Sequence, residues 1–508
     1  MSGAALPPFR SLASAALAGI VTVAAFEPAG LAPLAIATLA GLMLLWHRSA
    51  TPAGAAWTGF AFGLGYFGAG VSWVYVSLHT FGMMPAALAA LATVLFCAFL
   101  ALFPALTGYL QSRAGSSMAV RWLLVVPAVW TLLEWVRGWI FTGFPWLSLG
   151  YSQATTPLAG FAPVLGVFGV SLVTLICAGL LVYSAREQGK RRLMAAAALL
   201  VLVTAGWLLR DHDWTQPEGP AIRVALAQGN VPQSLKFEPG RYAATLQTYR
   251  RLAELAGAEN AKLVVFPETA IPRMLDQVEG RYLEDLQDLM QAFNADLLLG
   301  APLRDRDGRY YNSVVSLGSS RSQRYDKVHL VPFGEFIPAG FDWILQVLQI
   351  PLSDFSAGTV QQRPLALGRD HPILVAVNIC YEDAFGEEII RQLPEATLLA
   401  NVSNVAWFGD SLAPDQHLQI SQMRAMETGR YMLRATNSGV TAIIDEKGVV
   451  RSRLPKFTEG LLNGSAQAFA GATPFVRWGN GPALALCWLM LAAGALLARH
   501  RTAPEAPV

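Results

Sequence analysis

Two long stretches of the chain, 49 to 112 and 138 to 185, contain no Asp, Glu, Lys or Arg. A helix needs about 20 apolar residues to cross a bilayer, so each stretch holds more than one span. Turn residues interrupt them at "HTFGMMP" (79 to 85) and "GFPWLSLGYSQATTP" (143 to 157). The pattern predicts membrane helices over approximately 10 to 26, 31 to 46, 53 to 77, 85 to 111, 120 to 142, 160 to 184, 193 to 210 and 481 to 498, about eight in all. Between Ile222 and Phe469 the pattern changes. "AIRVALAQGNV" (221 to 231), "KLVVFPE" (262 to 268), "ADLLLGAP" (295 to 302), "ILVAVNICYE" (373 to 382), "ATLLANVSN" (396 to 404) and "VTAIIDEKG" (440 to 448) read as strands rich in Val, Ile and Leu. "RYAATLQTYRRLAELAGAE" (241 to 259) and "HLQISQMRAMETGRYML" (417 to 433) read as helices between them, and 310 to 330 as a hairpin turning at "GSS". Such alternation predicts an α/β domain with helices packed on a buried sheet. The expected organisation is a helical membrane domain over 1 to 211 with about seven spans, an α/β domain over 212 to 475, and a last membrane helix with a short tail over 476 to 508.

Composition agrees with a membrane protein: 54% of residues are hydrophobic and 14% charged, against roughly 25% charged in soluble domains. A net charge of +2 over 508 residues, with no like-charge block longer than "KRR" (190 to 192), argues against a nucleic-acid partner. Lys and Arg mark the cytoplasmic side. With the N-terminus inside, the inner segments carry Arg10, Arg48, Arg113, Arg121, Arg186, Lys190, Arg191, Arg192, Arg499 and Arg501, and the short outer loops carry none. Both termini are then cytoplasmic and 212 to 480 lies outside. A signal peptide over 1 to 26 is the competing reading, disfavoured because further spans follow at once and no clear cleavage site is present. Of the four cysteines, Cys97, Cys177 and Cys487 lie in apolar stretches and Cys380 alone in a polar one, which argues against a disulfide framework.

Three polar residues share a placement at the downstream end of a predicted strand: Glu268 in "VVFPETA", Lys327 in "YDKVHL" and Cys380 in "VNICYED". Strand ends on one edge of a sheet are where α/β folds gather reactive groups. A thiol needs a base, and an attacked carbonyl needs a cation or amide donors for its oxyanion. Taken singly, each has a plain reading: a buried small hydrophobe for the Cys, a solvated turn residue for the Glu, a surface charge for the Lys. His329, His371 and His417 lack metal-ligand spacing, so neither a metal nor a cofactor is expected.

"FPE", "KVHLVPFGE" and "CYE" resemble the nitrilase, or carbon-nitrogen hydrolase, superfamily over about residues 221 to 455. The resemblance implies an α-β-β-α sandwich with Glu268 as general base, Lys327 as oxyanion stabiliser and Cys380 as nucleophile. It further implies Glu335 as a second carboxylate that positions Lys327 or helps proton traffic, with Tyr381 and Glu382 following the nucleophile. With eight spans around that domain, and with "GNVPQSLKF" (229 to 237), "NVAWFGDS" (404 to 411), "RATNSG" (434 to 439) and "EWVRGWIFTGFPW" (134 to 146), the whole chain resembles the apolipoprotein N-acyltransferases. That family implies a phospholipid acyl donor, phosphatidylethanolamine foremost, a diacylglyceryl apolipoprotein as acceptor, a thioester on Cys380, a bacterial inner membrane with the catalytic domain periplasmic, and a monomer. Phe237 departs from the family pattern, which often has Trp there.

A lipid acyl-transfer site must exclude water. "FGEFIPAGFDWILQVLQIPLSDF" (333 to 355), with Phe341 and Trp343, is too apolar for a solvent loop and reads as a lid at the membrane interface or as packing on the domain's own core. Trp407 and Phe408 divide in the same way between a substrate contact and core. Glu134 and Arg137 share a helix face and form either a functional pair or an anchor for "GFPW", which contains Trp146. Tyr75, Trp73 and His79 near an outer helix end are substrate contacts or interfacial-belt residues. A membrane-tethered amidase, which would finish with water, and a transporter bearing an inactive domain are the alternative functions. The complete set of Glu268, Lys327 and Cys380 argues against the transporter.

Overall fold

The structure, a computed structural model, describes residues 7 to 502 apart from 115, 279, 338 to 353 and 369 to 371. The expected lid residues Phe341 and Trp343 therefore lie outside the described residues. The chain divides into two compact units: one takes the chain up to Ser72, Ala90–His212 and the chain from Trp478, the other Trp73–Ala89 and Asp213–Arg477.

Five helices among the described residues are long and apolar enough to cross a membrane: Ala86–Ser112, Met118–Arg137, Pro157–Arg186, Gly189–Asp211 and Gly481–Arg499. Phe9–Val23 and Pro33–Arg48 are apolar, but with 15 and 16 residues they span only about 23 Å at 1.5 Å per residue, short of a ~30 Å hydrocarbon core. The helix predicted over 53 to 77 is not continuous. It ends at Gly70, where Val71 leaves helical geometry at φ −129°, and a separate turn begins at Val74. Counting that broken pair as one crossing gives six spans against the eight hydropathy windows. In the helical unit small residues let backbones meet: a Cβ on Gly63 would lie 2.6 Å from Ala101 Cα. Glu134 and Arg137 are both buried, and each binds the turn that follows their helix. Arg137 donates to Phe144 O at 2.5 Å and Trp146 O at 2.7 Å, and Leu149 N and Trp130 Nε1 each donate to Glu134 Oε1 at 3.0 Å.

The second unit is built on two sheets. The first holds β1 (Ile222–Gln228), β2 (Leu263–Val265), β3 (Asp296–Arg304), β4 (Tyr310–Gly318) and β5 (Arg324–Asp326). The second holds β6 (Leu365–Leu367), β7 (Ile373–Ile379), β8 (Leu398–Ser403), β9 (Met432–Thr436), β10 (Ala442–Ile444) and β11 (Val450–Arg453). The chain then returns through β12 (Gly460–Ala466) to the outer side of β1. The strand orders are β12-β1-β2-β3-β4-β5 and β11-β10-β9-β8-β7-β6. The central pairs β1 with β2, β2 with β3, β7 with β8 and β8 with β9 are parallel.

Strand side chains alternate between faces, and here both faces are apolar. Val224, Leu226, Val265 and Leu298 meet Val377, Ile379, Val402 and Leu433 of the other sheet in one core. Ala225, Ala227 and Val264 turn the other way, onto Tyr249, Leu252 and Ala253 of the helix Pro239–Ala258. Ala376, Leu399 and Met432 likewise face Leu418 and Ala425 of the helix Ala413–Thr428. The layers are thus α-β-β-α. The helix read over 417 to 433 stops at Thr428, because Gly429 takes a left-handed conformation at φ 62° and releases the chain into β9. Strands β6, β11 and β12 lie outside every predicted element, and β9 emerges from the end of the predicted helix; β11 alternates half-buried and exposed residues at the sheet edge.

Tight packing reaches the strand end that carries Glu268. A Cβ on Gly300 of β3 would lie 2.8 Å from Glu268 Cα and 3.0 Å from Thr269 N. Gly300→Ala is expected to lower stability by ~1–3 kcal/mol, the usual cost of overpacking, and to slow turnover by displacing Glu268. Thermal melting and an activity assay check this; a variant with wild-type values in both contradicts it.

Candidate active site

Glu268 lies three residues beyond β2, Lys327 directly after β5 and Cys380 directly after β7, so the three come from both sheets. Cys380 has φ 56°, a left-handed conformation that L residues other than Gly rarely adopt. This turns its side chain off the strand line at the start of a 3-10 turn, and such strain concentrates at functional positions.

Lys327, 1% exposed, points its ammonium between two carboxylates. Nζ donates to Glu335 Oε1 at 2.8 Å and lies 3.5 Å from Glu268 Oε1. Asn312 of β4 bridges the same two oxygens, at 2.7 Å to Glu268 and 2.8 Å to Glu335. The other Glu335 oxygen accepts from Val331 N at 2.8 Å, and the other Glu268 oxygen from Asn404 N at 2.8 Å. Glu268 and Lys327 both act electrostatically on Cys380, the carboxylate holding the proton on sulfur and the ammonium opposing it, so carboxylate, ammonium and thiol share one buried site.

Burial sets the resting protonation. It pushes Cys380 up, and the Glu268 charge pushes it further, so the thiol holds its proton well above its ordinary range although Lys327 opposes this. Burial also works to raise Glu268, but Lys327, Asn312 and Lys236 outweigh it and hold the carboxyl below its usual range. Burial disfavours charge on Lys327 too, and Glu335 first and Glu268 second more than restore it. The resting site combines a protonated thiol, an ionised carboxylate and a fixed ammonium, a set able to support proton transfer.

The chain matches the family profile "Apolipoprotein N-acyltransferase N-terminal domain" over residues 18–180 and "Carbon-nitrogen hydrolase" over 223–474. An apolipoprotein N-acyltransferase of Nitrosomonas europaea is 52% identical over 494 residues, covering 96% of this chain and 98% of that protein. Proteins of the same description from Methylococcus capsulatus and Ralstonia nicotianae are each 45% identical, over 94% and 97% of this chain and 94% of each of those proteins. The chain belongs to the apolipoprotein N-acyltransferase family. It is a membrane protein with a nitrilase-like domain.

The other residues that the sequence singles out are placed as follows in this family member. Glu382 is buried and joins two strand ends: Oε1 accepts from Val328 N at 2.7 Å and His329 N at 3.1 Å, Oε2 from Ile379 N at 2.7 Å, and the Tyr325 hydroxyl donates to both at 3.1 Å. Burial nevertheless pushes its carboxyl up to about 7. Tyr381 is half-buried, its ring edge-on to Phe385 and His329. Phe237 is half-buried in the turn leading to the helix Pro239–Ala258. Trp407 and Phe408 form a short turn after Asn404 and pack on the 73–89 segment. Phe408 lies 4.5 Å from Trp73 and Trp407 6.0 Å from Phe81 between ring centres, and Ser77 Oγ donates to Trp407 O at 2.8 Å. Tyr75 of the same segment lies 5.3 Å from the His79 ring. Trp146 belongs to the helical unit, where it is buried.

Several groups in the site escape a reading by sequence. Asn312 lies in a strand that also carries Ser313 and Ser316, so its polarity does not set it apart. Lys236, buried, donates to Glu268 O at 3.2 Å; its place in "GNVPQSLKF" is the only sequence hint. Asp383 binds His417 Nε2 at 2.6 Å, Ser421 Oγ at 2.5 Å and Arg434 Nη1 at 3.2 Å. Arg434 also donates to Asn401, whose amide donates to Cys380 O at 3.0 Å. Burial works to raise Asp383, but His417 and Arg434 keep it below the usual range, while burial and Arg434 lower the proton affinity of His417, so an ionised Asp383 and Arg434 anchor the Cys380 backbone through Asn401. Among the described residues no group of three His, Cys, Asp or Glu is placed to hold a metal.

Glu382→Ala strands three buried amide donors and is expected to cost roughly 3 kcal/mol or more, whereas Tyr325→Phe removes one hydroxyl donor and costs ~1 kcal/mol. Melting of the two variants in the same detergent ranks them; equal, small losses would contradict the role given to Glu382.

Proposed function

We propose that the chain transfers a fatty-acyl group from a phospholipid to the N-terminal amine of a diacylglyceryl apolipoprotein through a thioester on Cys380. The convergence of Glu268 and Lys327 on Cys380 carries this reading. In the first step Glu268 takes the thiol proton and sulfur attacks the acyl ester carbonyl. Lys327 and backbone amides hold the oxyanion. The ester C–O bond breaks, the proton passes from Glu268 to the departing lysophospholipid, and the acyl group stays on sulfur. In the second step the amine attacks the thioester, Glu268 accepts its proton and returns it to the leaving thiolate, and an amide is released. The two substrates use one site in turn, so ping-pong kinetics follow. A thioester reacts with amines more readily than an ester does, which is the chemical reason for a thiol.

Glu335 positions Lys327, and Tyr381 and Glu382 shape the turn that carries the nucleophile. Phe237, Tyr75, Trp407 and Phe408 contact the lipid chains in this reading. The donor is phosphatidylethanolamine, the enzyme a monomer of the bacterial inner membrane, with the short helices Phe9–Val23 and Pro33–Arg48 added to the six longer spans to make eight crossings, both termini cytoplasmic and the Glu268, Lys327 and Cys380 site periplasmic. The distribution of Lys and Arg supports that orientation.

Labelled phosphatidylethanolamine incubated with the protein and a diacylated lipopeptide tests the reaction. Labelled lipopeptide, together with an acyl adduct on Cys380 by mass spectrometry, is expected. Cys380→Ala should abolish both, leaving less than about one thousandth of the rate, as loss of a covalent nucleophile does. Release of free fatty acid without lipopeptide acylation would point to hydrolysis instead.

A further inference from the structure

Lys236 is a buried charge to which the two-step reaction gives no role. It lies in the last turn of the loop between β1 and the helix Pro239–Ala258 and is 3% exposed. The loop is pinned to the second sheet: Asn437 exchanges hydrogen bonds with Val231 N and O at 3.0 and 2.8 Å, and Asn404 Nδ2 donates to Gln233 Oε1 at 2.8 Å. Its ammonium is thereby held beside Glu268, where Nζ donates to the main-chain carbonyl at 3.2 Å. A neutral carbonyl does not offset a buried charge, which must otherwise be balanced by an opposite one.

The groups that act on it are Glu268 beyond β2 and Cys380 after β7, and Glu268 is linked in turn to Lys327 after β5 and, through Lys327 and Asn312, to Glu335. Within the set of Glu268, Glu335, Lys327 and Lys236, with Cys380 as thiol, two negative charges meet two positive ones. When the thiol proton moves to Glu268, the negative charge moves to sulfur and the sum is unchanged. We propose that Lys236 is the second cation of the site, a positioning residue whose charge keeps Glu268 ionised at rest and holds the charge that develops on Cys380 during attack. Lys236 interacts electrostatically with these two groups, Glu268 and Cys380. Burial lowers its own proton affinity to about 8 against their pull, so it is charged at neutral pH.

The inference rests on Glu268 and Cys380 acting as a base and thiol pair, and it is tested without lipid. In full-length protein in detergent, the rate of Cys380 alkylation by iodoacetamide is followed from pH 5 to 9 by peptide mass spectrometry. Alkylation reads the thiolate, whose fraction climbs with pH throughout this range because the thiol titrates above it, and without the Lys236 charge that thiolate is less stabilised. Lys236→Met and Lys236→Gln should therefore move the rising limb up by about one pH unit and slow alkylation roughly tenfold at pH 7, the gap narrowing above about pH 8 where the wild-type Lys236 itself loses its proton. Lys236→Arg, which keeps the charge, should stay within ~0.3 unit of wild type on the same scale. Melting confirms that each variant is folded. An unshifted limb in a folded Met or Gln variant overturns the proposal, as does an equal shift in a folded Arg variant. A wild-type enzyme that forms no thioester with phospholipid would instead sink the acyl-transfer reading and leave this measurement standing.

Discussion

The Lys327 ammonium, closed in between Glu268 and Glu335, is the interaction on which the site depends. Removing an ion from water costs several kcal/mol even after relaxation, so a lysine this deeply buried persists only where opposite charge and hydrogen bonds surround it. Asn312 completes the arrangement by donating to the same oxygens, which fixes both carboxylates relative to the cation. The sandwich supplies the rest. Only by stacking two sheets through the Val, Leu and Ile core do the chain ends beyond β2, β5 and β7 arrive at one place.

The same burial that makes the ions interdependent keeps Cys380 a thiol. A preformed thiolate would be open to oxidants and to any electrophile that reached it. Burial and the Glu268 charge act together here to hold the proton on sulfur at rest, against the opposing pull of Lys327. Glu382 serves this geometry from behind: the loop after Lys327 and the last strand residue before Cys380 hang on one carboxylate, so a shift of either is carried to the other.

Much of this was legible in the chain. Runs of Val, Ile and Leu marked most central strands because a buried parallel sheet is apolar on both faces, and Glu268, Lys327 and Cys380 stood out as polar residues at strand ends. What escaped depended on contacts between distant segments. Hydropathy alone does not separate a continuous helix over 53 to 77 from one broken at Gly70, since residues on both sides are apolar. The strand at Met432 was hidden behind a helical pattern that Gly429 ends. Lys236 and Asn312 look like surface and core residues until the fold closes over them, and Trp146 shares its aromatic character with the residues of the other unit.

The segment Trp73–Ala89 has a consequence for how the molecule is assembled. It sits among the apolar spans in sequence but groups with Asp213–Arg477, and its Trp73, Ser77 and Phe81 back the turn that carries Trp407 and Phe408. That turn follows Asn404, the residue whose amide binds Glu268. The catalytic unit is thus discontinuous, stitched from a short early piece and a long late one. A fragment cut at the apparent border near residue 213 would lack a wall of its own interior, and during synthesis the early piece must wait for well over a hundred residues before its counterpart exists to receive it.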